Sequence, residues 1–389
     1  MKILIAHNAY QHRGGEDMVV ESEAALLHEY GHEVRVYARN NDALNHMPAS
    51  KAAANAVWSL RAGAEIEDIC EHFRPDVIHV HNTFPLISPS LYWAASKKGV
   101  PVVQTLHNFR LLCPQAIFLR EGKICEDCVG KPAWRSVVRK CYRNSAAQSA
   151  VLAGMLAVHR AIGTYKNRVT RYIALNGFSR DKYVEGGLPP QLFRIKPNFV
   201  RSDAPVRWEA REDGLYVGRL SVEKGLDVLI QAVQDFDAVP LQIIGNGPLE
   251  AKVRQAFGAH YLGFESLDSI MRRMRSARYL VVPSICYENS PRAIVEAFSC
   301  GLPVIASRLG ALADMVRDGA TGLLFNPGDA FDLRAKIAWA QSHSDEMARM
   351  GRNARAEYEA KYTPERNHEI LMDIYEDAIA TTRKERHSA

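Results

Sequence analysis

Apolar residues in this chain gather in short runs, and between the runs they recur at helical spacing. Ile3-Leu4-Ile5-Ala6 reads as a first buried strand. Met18, Val19, Ala25, Leu26 and Leu27 then trace one helix face, and after Gly31 the run Val34-Arg35-Val36-Tyr37 reads as a second strand. Further strands are predicted at Val77-Ile78-His79-Val80, Val102-Val103-Gln104-Thr105 and Tyr172-Ile173-Ala174-Leu175-Asn176. Pro75 and Pro101 stand at or just before two of these starts, where a strand tolerates proline. Phe193 to Val200 leads into a polar stretch, Arg201 to Asp213, and the alternation then restarts. Strands are predicted at Leu215-Tyr216-Val217-Gly218, Leu241-Gln242-Ile243-Ile244, Tyr261-Leu262-Gly263-Phe264 and Tyr279-Leu280-Val281-Val282, with helices from Leu226 and through Phe298. Helical spacing continues over Ala330 to Ala340, on to Lys361, and from Pro364 to about Thr381; Arg383-Lys384-Glu385-Arg386-His387 reads as a disordered tail. Strand–helix alternation repeated on both sides of a polar break predicts an α/β protein built from two Rossmann-like domains with parallel sheets.

Length agrees, since 389 residues exceed one ordinary core. Met1 to Ala6 is too short an apolar run for a secretory signal and leads into polar His7-Asn8, so none is expected. The longest apolar stretch, Ala146 to Ile162, is broken by Gln148, Ser149, His159 and Arg160 and reads as a buried or amphipathic helix. A formal charge of +5 permits anionic partners without implying nucleic acid.

Candidate chemistry sits where strands end. Ser284 to Phe298 forms a strand-to-helix loop with Pro291 at the expected first helical position, Glu288 in the loop and Glu296 inside the helix. Free N–H groups of Asn289 to Arg292 suit an anion or a ring of hydroxyls. Two carboxylates so placed either grip two polyols or act as a cap and a solvated helix residue. Arg219 and Lys224, five positions apart after a strand, make a diphosphate clamp: one fork and one point charge. His81 and His107 each follow a strand end and read either as cleft residues or as structural histidines. Gly14-Gly15, in a loop with His12 and Arg13, lacks the third glycine of the dinucleotide fingerprint. Cys113, Cys125, Cys128 and Cys141 cluster around one C-x-x-C; they read as a structural zinc site, ahead of an iron–sulfur cluster, or as free thiols. Lys131 to Tyr172 is basic with aromatics (Trp134, Arg135, Arg139, Lys140, Tyr142, Arg143, Arg160, Tyr165, Lys166, Arg168, Arg171): either solvated helix faces or a surface for anionic lipid.

The segment around Glu288 and Glu296, with Ala297, Gly301-Leu302-Pro303-Val304-Ile305-Ala306-Ser307 and Gly319-Ala320-Thr321-Gly322-Leu323-Leu324-Phe325, resembles the paired-glutamate signature of the retaining GT-B glycosyltransferases of family GT4. Gly310-Ala311-Leu312-Ala313-Asp314 departs from that family's Gly-Gly-x-Pro-Glu turn. Gly218-Arg219-Leu220-Ser221-Val222-Glu223-Lys224-Gly225 resembles its phosphate motif, Pro197-Asn198 its interdomain segment, and Thr105 to Pro114 a subgroup in which the histidine lines the active site. The resemblance implies a GT-B fold, its sheets facing across a cleft: an acceptor domain over 1–197 carrying the Cys-rich loop 113–141, a nucleotide-sugar domain over 198–363, and a helix over 364–389 that crosses back. Glu288 would hold donor-sugar hydroxyls and Glu296 the ribose; Arg219 and Lys224 the diphosphate; Asn289, Ser290 and Pro291 would line the donor. Gly14 and Gly15 would approach donor phosphates or acceptor, and His107 would touch donor sugar or acceptor, with His81-Asn82 behind it. The Gly245-Asn246-Gly247-Pro248 turn and the loop after Tyr261–Phe264 would lie by the nucleotide.

The implied reaction is retaining transfer from a nucleotide diphosphate sugar, UDP ahead of GDP, to a glycan or polyprenyl-diphosphate-linked acceptor. Surface-polysaccharide synthesis in the cytoplasm, at the inner membrane face, is the expected setting. The rival readings are a GT-B sugar phosphorylase, a non-catalytic nucleotide-sugar-binding protein, and a zinc-linked assembly protein. Cationic side chains at the leaving diphosphate can replace a divalent metal. Turnover should therefore survive magnesium chelation; a strong loss with EDTA that added zinc does not restore would contradict this.

Overall fold

The computed structural model describes residues 1–388 except 12–13, 203–204, 207, 209–210, 235 and 237–240, so His12, Arg13 and part of the polar stretch after Arg201 lie outside the described residues. Two compact units form. One comprises Met1–Ala116, Glu126–Lys196 and Asn367–Ala389; the other comprises Ile117–Cys125 and Pro197–Arg366.

The first unit is a doubly wound parallel sheet. Its strands are β1 (Lys2–Ala9), β2 (Glu33–Asn40), β3 (Val77–Asn82) and β4 (Val102–Thr105). The short hairpin β5 (Leu119–Arg120) and β6 (Lys123–Ile124) falls in the second unit, and β7 (Arg171–Ala174) and β8 (Phe193–Ile195) complete the first. The order is β2-β1-β3-β4-β7-β8, with every pairing parallel. Ile3, Ile5, Val77, Val103 and Ile173 pack with Val20 and Leu27 of the helix Gly15–Glu29. Leu371, Ile374, Tyr375 and Ala378 of the helix Pro364–Ser388 close the same core.

The second unit repeats the plan with β9 (Glu212–Val217), β10 (Leu241–Ile244), β11 (Ala277–Val282), β12 (Val304–Ser307) and β13 (Gly322–Phe325), ordered β10-β9-β11-β12-β13. The middles of its strands are mostly apolar because both faces are buried. Leu280 and Val282 enter one core, while Tyr279 and Val281 enter the other. In both sheets the winding reverses between the first and third strands. That reversal opens a crevice at the strands' carboxyl ends, where open α/β sheets bind ligands.

Three local expectations change. Tyr261-Leu262-Gly263-Phe264 makes only an isolated bridge to Ile243, because Gly263 turns left-handed (φ +77°) and carries Phe264 out to solvent. Pro291 is the N-cap residue of the helix Arg292–Ser299 rather than its first helical residue. The last helix runs on through Arg383-Lys384-Glu385-Arg386-His387, with Arg386 donating to the carbonyl of Lys98 at 3.0 Å.

Candidate active site

In the second unit two loops meet. The 3-10 turn Val222–Lys224 follows β9, and residues 283–291 follow β11. Gly225 (φ +71°) ends the turn; a Cβ there would lie 1.9 Å from the Pro283 carbonyl oxygen, so the two loops can approach only at glycine. Ile285 N–H donates to the Glu223 carbonyl at 3.0 Å and fixes their register. Lys224 Nζ is thereby held 2.5 Å from Glu288 Oε1, which also accepts from Ser284 Oγ at 2.7 Å. Burial alone would raise the Glu288 carboxyl, but Lys224 and Ser284 outweigh it and hold the group below the usual carboxylate value. Lys224 answers in kind: burial would lower it, and Glu288 keeps it above the usual ammonium value. Glu288 Oε2 has no hydrogen-bond partner among the described residues, so a charge-matched carboxylate offers one oxygen to a hydroxyl.

Glu296 lies one turn into the helix, 3.4 Å from Arg292 Nε, and burial raises its carboxyl more than Arg292 lowers it. On the same loop and helix Ser290 Oγ and Arg292 Nη1, and at the end of β12 Ser307 Oγ, are buried without hydrogen-bond partners among the described residues. Groups of that kind in a native site call for a ligand or water. Asn289 is buried. Arg219 is exposed and makes no ion pair among the described residues, its carbonyl accepting from Tyr216 Oη at 2.9 Å. The structure thus gathers Lys224, Glu288, Asn289, Ser290, Pro291 and Glu296 on one strand-to-helix junction and its neighbouring turn.

In the first unit, Gly14 caps the helix that starts at Gly15, and its N–H donates to Asp17 Oδ2 at 2.8 Å. Asp17 Oδ1 holds His7 Nε2 at 2.8 Å, and Tyr10 Oη donates to Glu16 at 3.0 Å. Neighbouring strands β1, β3 and β4 carry His7, His81 and His107 at or just past their carboxyl ends. His81 Nδ1 and His107 Nε2 are 2.8 Å apart. Behind His81 stands Glu23, fully buried and paired with the equally buried Lys196. His107 and His81 also line a small cavity of about 40 Å³ with Thr83, Gln104, Arg110 and Tyr165. There Gln104 Oε1, Arg110 Nη1 and Tyr165 Oη are buried without hydrogen-bond partners among the described residues.

Comparison with known proteins decides the family. The family model described as "Glycosyl transferases group 1" matches residues 204–357, and that described as "Glycosyl transferase 4-like domain" matches residues 14–174. The chain belongs to the GT4-like glycosyltransferases. It is 25% identical to an uncharacterized glycosyltransferase of Methanocaldococcus jannaschii over 97% of this chain and 98% of that one. It is 23% identical to the D-inositol 3-phosphate glycosyltransferase of Nocardia farcinica over 94% and 85%. Among solved structures, Anabaena HepE in complex with UDP-glucose superposes with a TM-score of 0.66 at 18% identity, covering 96% of this chain and 99% of that one. Sucrose-phosphate synthase of Thermosynechococcus elongatus superposes with 0.70 at 18%, covering 98% and 99%. These neighbours fix the fold as GT-B.

Several members of the glycosyltransferase's buried network went unread in the sequence. Glu23, Asp17 and Lys196 look like ordinary helix and loop charges, and His79 like a core residue. The readable signal was histidine at or past the ends of three adjacent strands. The basic stretch is partly internal. Arg160 donates to the carbonyls of Leu111 and Lys131, Arg168 lies 4.3 Å over Trp93, and Arg171 pairs with Asp377, while Tyr165 and Tyr172 are buried. Cys113, Cys125, Cys128 and Cys141 are half-buried, and none is in a disulfide.

The network sets an acid limit. Burial pushes His107 down to about 3 and drives His79 and His81 well below the usual imidazole range; His32, His159 and His368 are also lowered. Below about pH 6.5 the unfolded chain takes up protons that these folded rings refuse, so stability falls as pH falls. Glu16, raised by burial to about 7, and Glu296 act oppositely, losing stability as pH rises. Histidines outnumber them, so the unfolding midpoint in urea should drop steadily from neutral pH to about pH 5. A midpoint that stays flat or rises over that range would contradict the neutral assignment.

Proposed function

We propose that this glycosyltransferase moves a sugar from a nucleoside diphosphate sugar, UDP ahead of GDP, to a hydroxyl of a glycan or polyprenyl-diphosphate-linked acceptor, with retention of configuration. The observation that carries the reading is the Lys224–Glu288 pair at the mouth of the helix Arg292–Ser299, with Glu296 behind it. Glu288 Oε2 accepts from donor-sugar hydroxyls, and Glu296 accepts from the ribose. Lys224, Arg219, Arg292 and the helix's free N–H groups meet the diphosphate, where negative charge develops as the sugar departs. Lys224 then serves two partners: it neutralises Glu288 in the ground state and the leaving phosphate in the transition state. HepE in complex with UDP-glucose, sharing the fold, supports the donor class.

No side chain is assigned as a nucleophile. Attack of the acceptor hydroxyl on the face the diphosphate leaves, with a phosphate oxygen taking its proton, gives retention without a covalent enzyme intermediate. His107, on the first unit, is proposed to contact a sugar or acceptor hydroxyl.

Among the described residues no helix is long and apolar enough to cross a membrane. Trp134 and Val138 are exposed on a short helix beside exposed Lys131, Arg139, Lys140 and Arg143. That mix suits peripheral contact with anionic lipid, where a lipid-linked acceptor would reside, at the inner membrane face in surface-polysaccharide synthesis. Cys113, Cys125, Cys128 and Cys141 are proposed to hold a structural zinc, which supplies loop stability rather than chemistry.

Glu288→Ala should lower kcat/KM for the transferred sugar by about a hundredfold or more, since it strips a charge-assisted contact and strands Lys224. Activity within about twofold of wild type would overturn the assignment.

A further inference from the structure

Behind His107 runs a buried line of charge that the proposed transfer does not use. Lys196, Glu23, His79 and the side chain of His81 are shielded from solvent, and Lys196 pairs with Glu23 Oε1 and donates to Asn367 at 3.2 Å. Glu23 Oε2 faces His81 Nε2 at 3.3 Å without a formed hydrogen bond, and neither atom has a hydrogen-bond partner among the described residues. The other nitrogen of His81, Nδ1, lies 2.8 Å from His107 Nε2, with the two rings within 16° of coplanar.

Glu23, His79 and His81 stand close enough to suggest metal ligation. Their partners argue otherwise. His79 Nδ1 meets Tyr375 Oη at 2.7 Å and its Nε2 meets Thr105 Oγ1 at 2.8 Å, so neither nitrogen has a lone pair to spare without breaking a buried bond. Lys196 already supplies the positive charge at Glu23. The relay is instead Glu23, His81 and His107, joined by charge where Glu23 Oε2 faces His81 Nε2 and by a hydrogen bond between His81 Nδ1 and His107 Nε2.

Its protons follow from elimination. Lys196 outweighs burial and keeps Glu23 an acceptor-only carboxylate. Burial keeps His81 and His107 neutral, so each ring carries one N–H. A bare His81 Nε2 would set a lone pair against the carboxylate, so the proton sits on Nε2 and Nδ1 accepts. His107 Nε2 must then be the donor, which leaves His107 Nδ1 bare. Among the described residues Nδ1 has no hydrogen-bond partner. His7, edge-on to His81 with ring centroids 6.4 Å apart, is held by Asp17 and takes no part.

We infer that Glu23 and His81 are positioning residues that lock His107 as its Nε2–H tautomer, so that His107 meets a substrate hydroxyl as a hydrogen-bond acceptor. The inference rests on the reading of His107 as a sugar or acceptor contact. A hydroxyl donating to His107 Nδ1 becomes a better nucleophile or a better-oriented donor-sugar group. Lys196 keeps the line's far end neutral, so the relay orients without titrating near neutral pH.

Nitrogen-15 NMR of the imidazoles in the wild-type chain tests this, with His107 assigned from its loss in His107→Gln. The expected result near neutral pH is protonated Nε2 and bare Nδ1; bare Nε2, or an imidazolium, would overturn the inference. His81→Asn places an amide oxygen near the lost Nδ1 and should keep the tautomer and most of kcat. His81→Leu should mix the tautomers and lower kcat by about tenfold while leaving the donor KM nearly unchanged. An unchanged tautomer and kcat in His81→Leu would also overturn it. Should His107→Gln leave transfer untouched while the wild-type tautomer is as stated, the functional reading of His107 fails and the relay stands.

Discussion

A parallel sheet buried on both faces admits almost no polar side chains along its strands, so the polar chemistry collects where the strands end. This glycosyltransferase obeys that constraint twice. Leu215 and Tyr216 of β9, Tyr279 to Val281 of β11 and Val304 to Ala306 of β12 are buried and carry no charge, and Arg219, Ser284, Glu288 and Ser307 lie at or beyond the carboxyl ends of these strands. In the first unit His7, His81 and His107 mark the same level of β1, β3 and β4. Winding direction reverses between the first and third strands of each sheet, so the connecting loops part there. The catalytic candidates occupy these partings.

Ion pairs at the two places differ in kind. Lys196 and Glu23 are wholly removed from water, and losing either partner alone would strand a charge at a cost of about 3–5 kcal/mol. Such a pair is structural: it fixes the helix Gly15–Glu29 against β3 and the end of β8. Lys224 and Glu288 remain partly open, with side-chain exposures of 29% and 13%, and each has bonding capacity left over. The first pair is closed to solvent, with Glu23 Oε2 turned toward His81. The second leaves Glu288 Oε2 without a hydrogen-bond partner among the described residues.

The sequence exposed the second unit well because its chemistry is local. Glu288 and Glu296 share one loop and helix, and Arg219 and Lys224 share one turn, so spacing alone brings them near a strand end. The first unit's network was opaque for the opposite reason. Glu23 meets His81 and Lys196 across long stretches of chain, and nothing in Glu23's surroundings distinguishes it from a solvated helix glutamate. The Tyr261–Phe264 run misled because apolarity alone marks a strand, while Gly263's left-handed turn decides otherwise. The terminal basic segment read as a tail because its composition is polar, yet the apolar face from Leu371 to Ala378 propagates the helix past it.

The second unit is proposed to bind a nucleoside diphosphate through Glu296 and its cationic neighbours without a divalent metal. Calorimetric titration of the purified protein with UDP, GDP, ADP and CMP in metal-free buffer tests it most directly. The account predicts binding of one diphosphate, weakened by about tenfold or more in Glu296→Ala. Binding of none of the four, or equal affinity in Glu296→Ala, would contradict it.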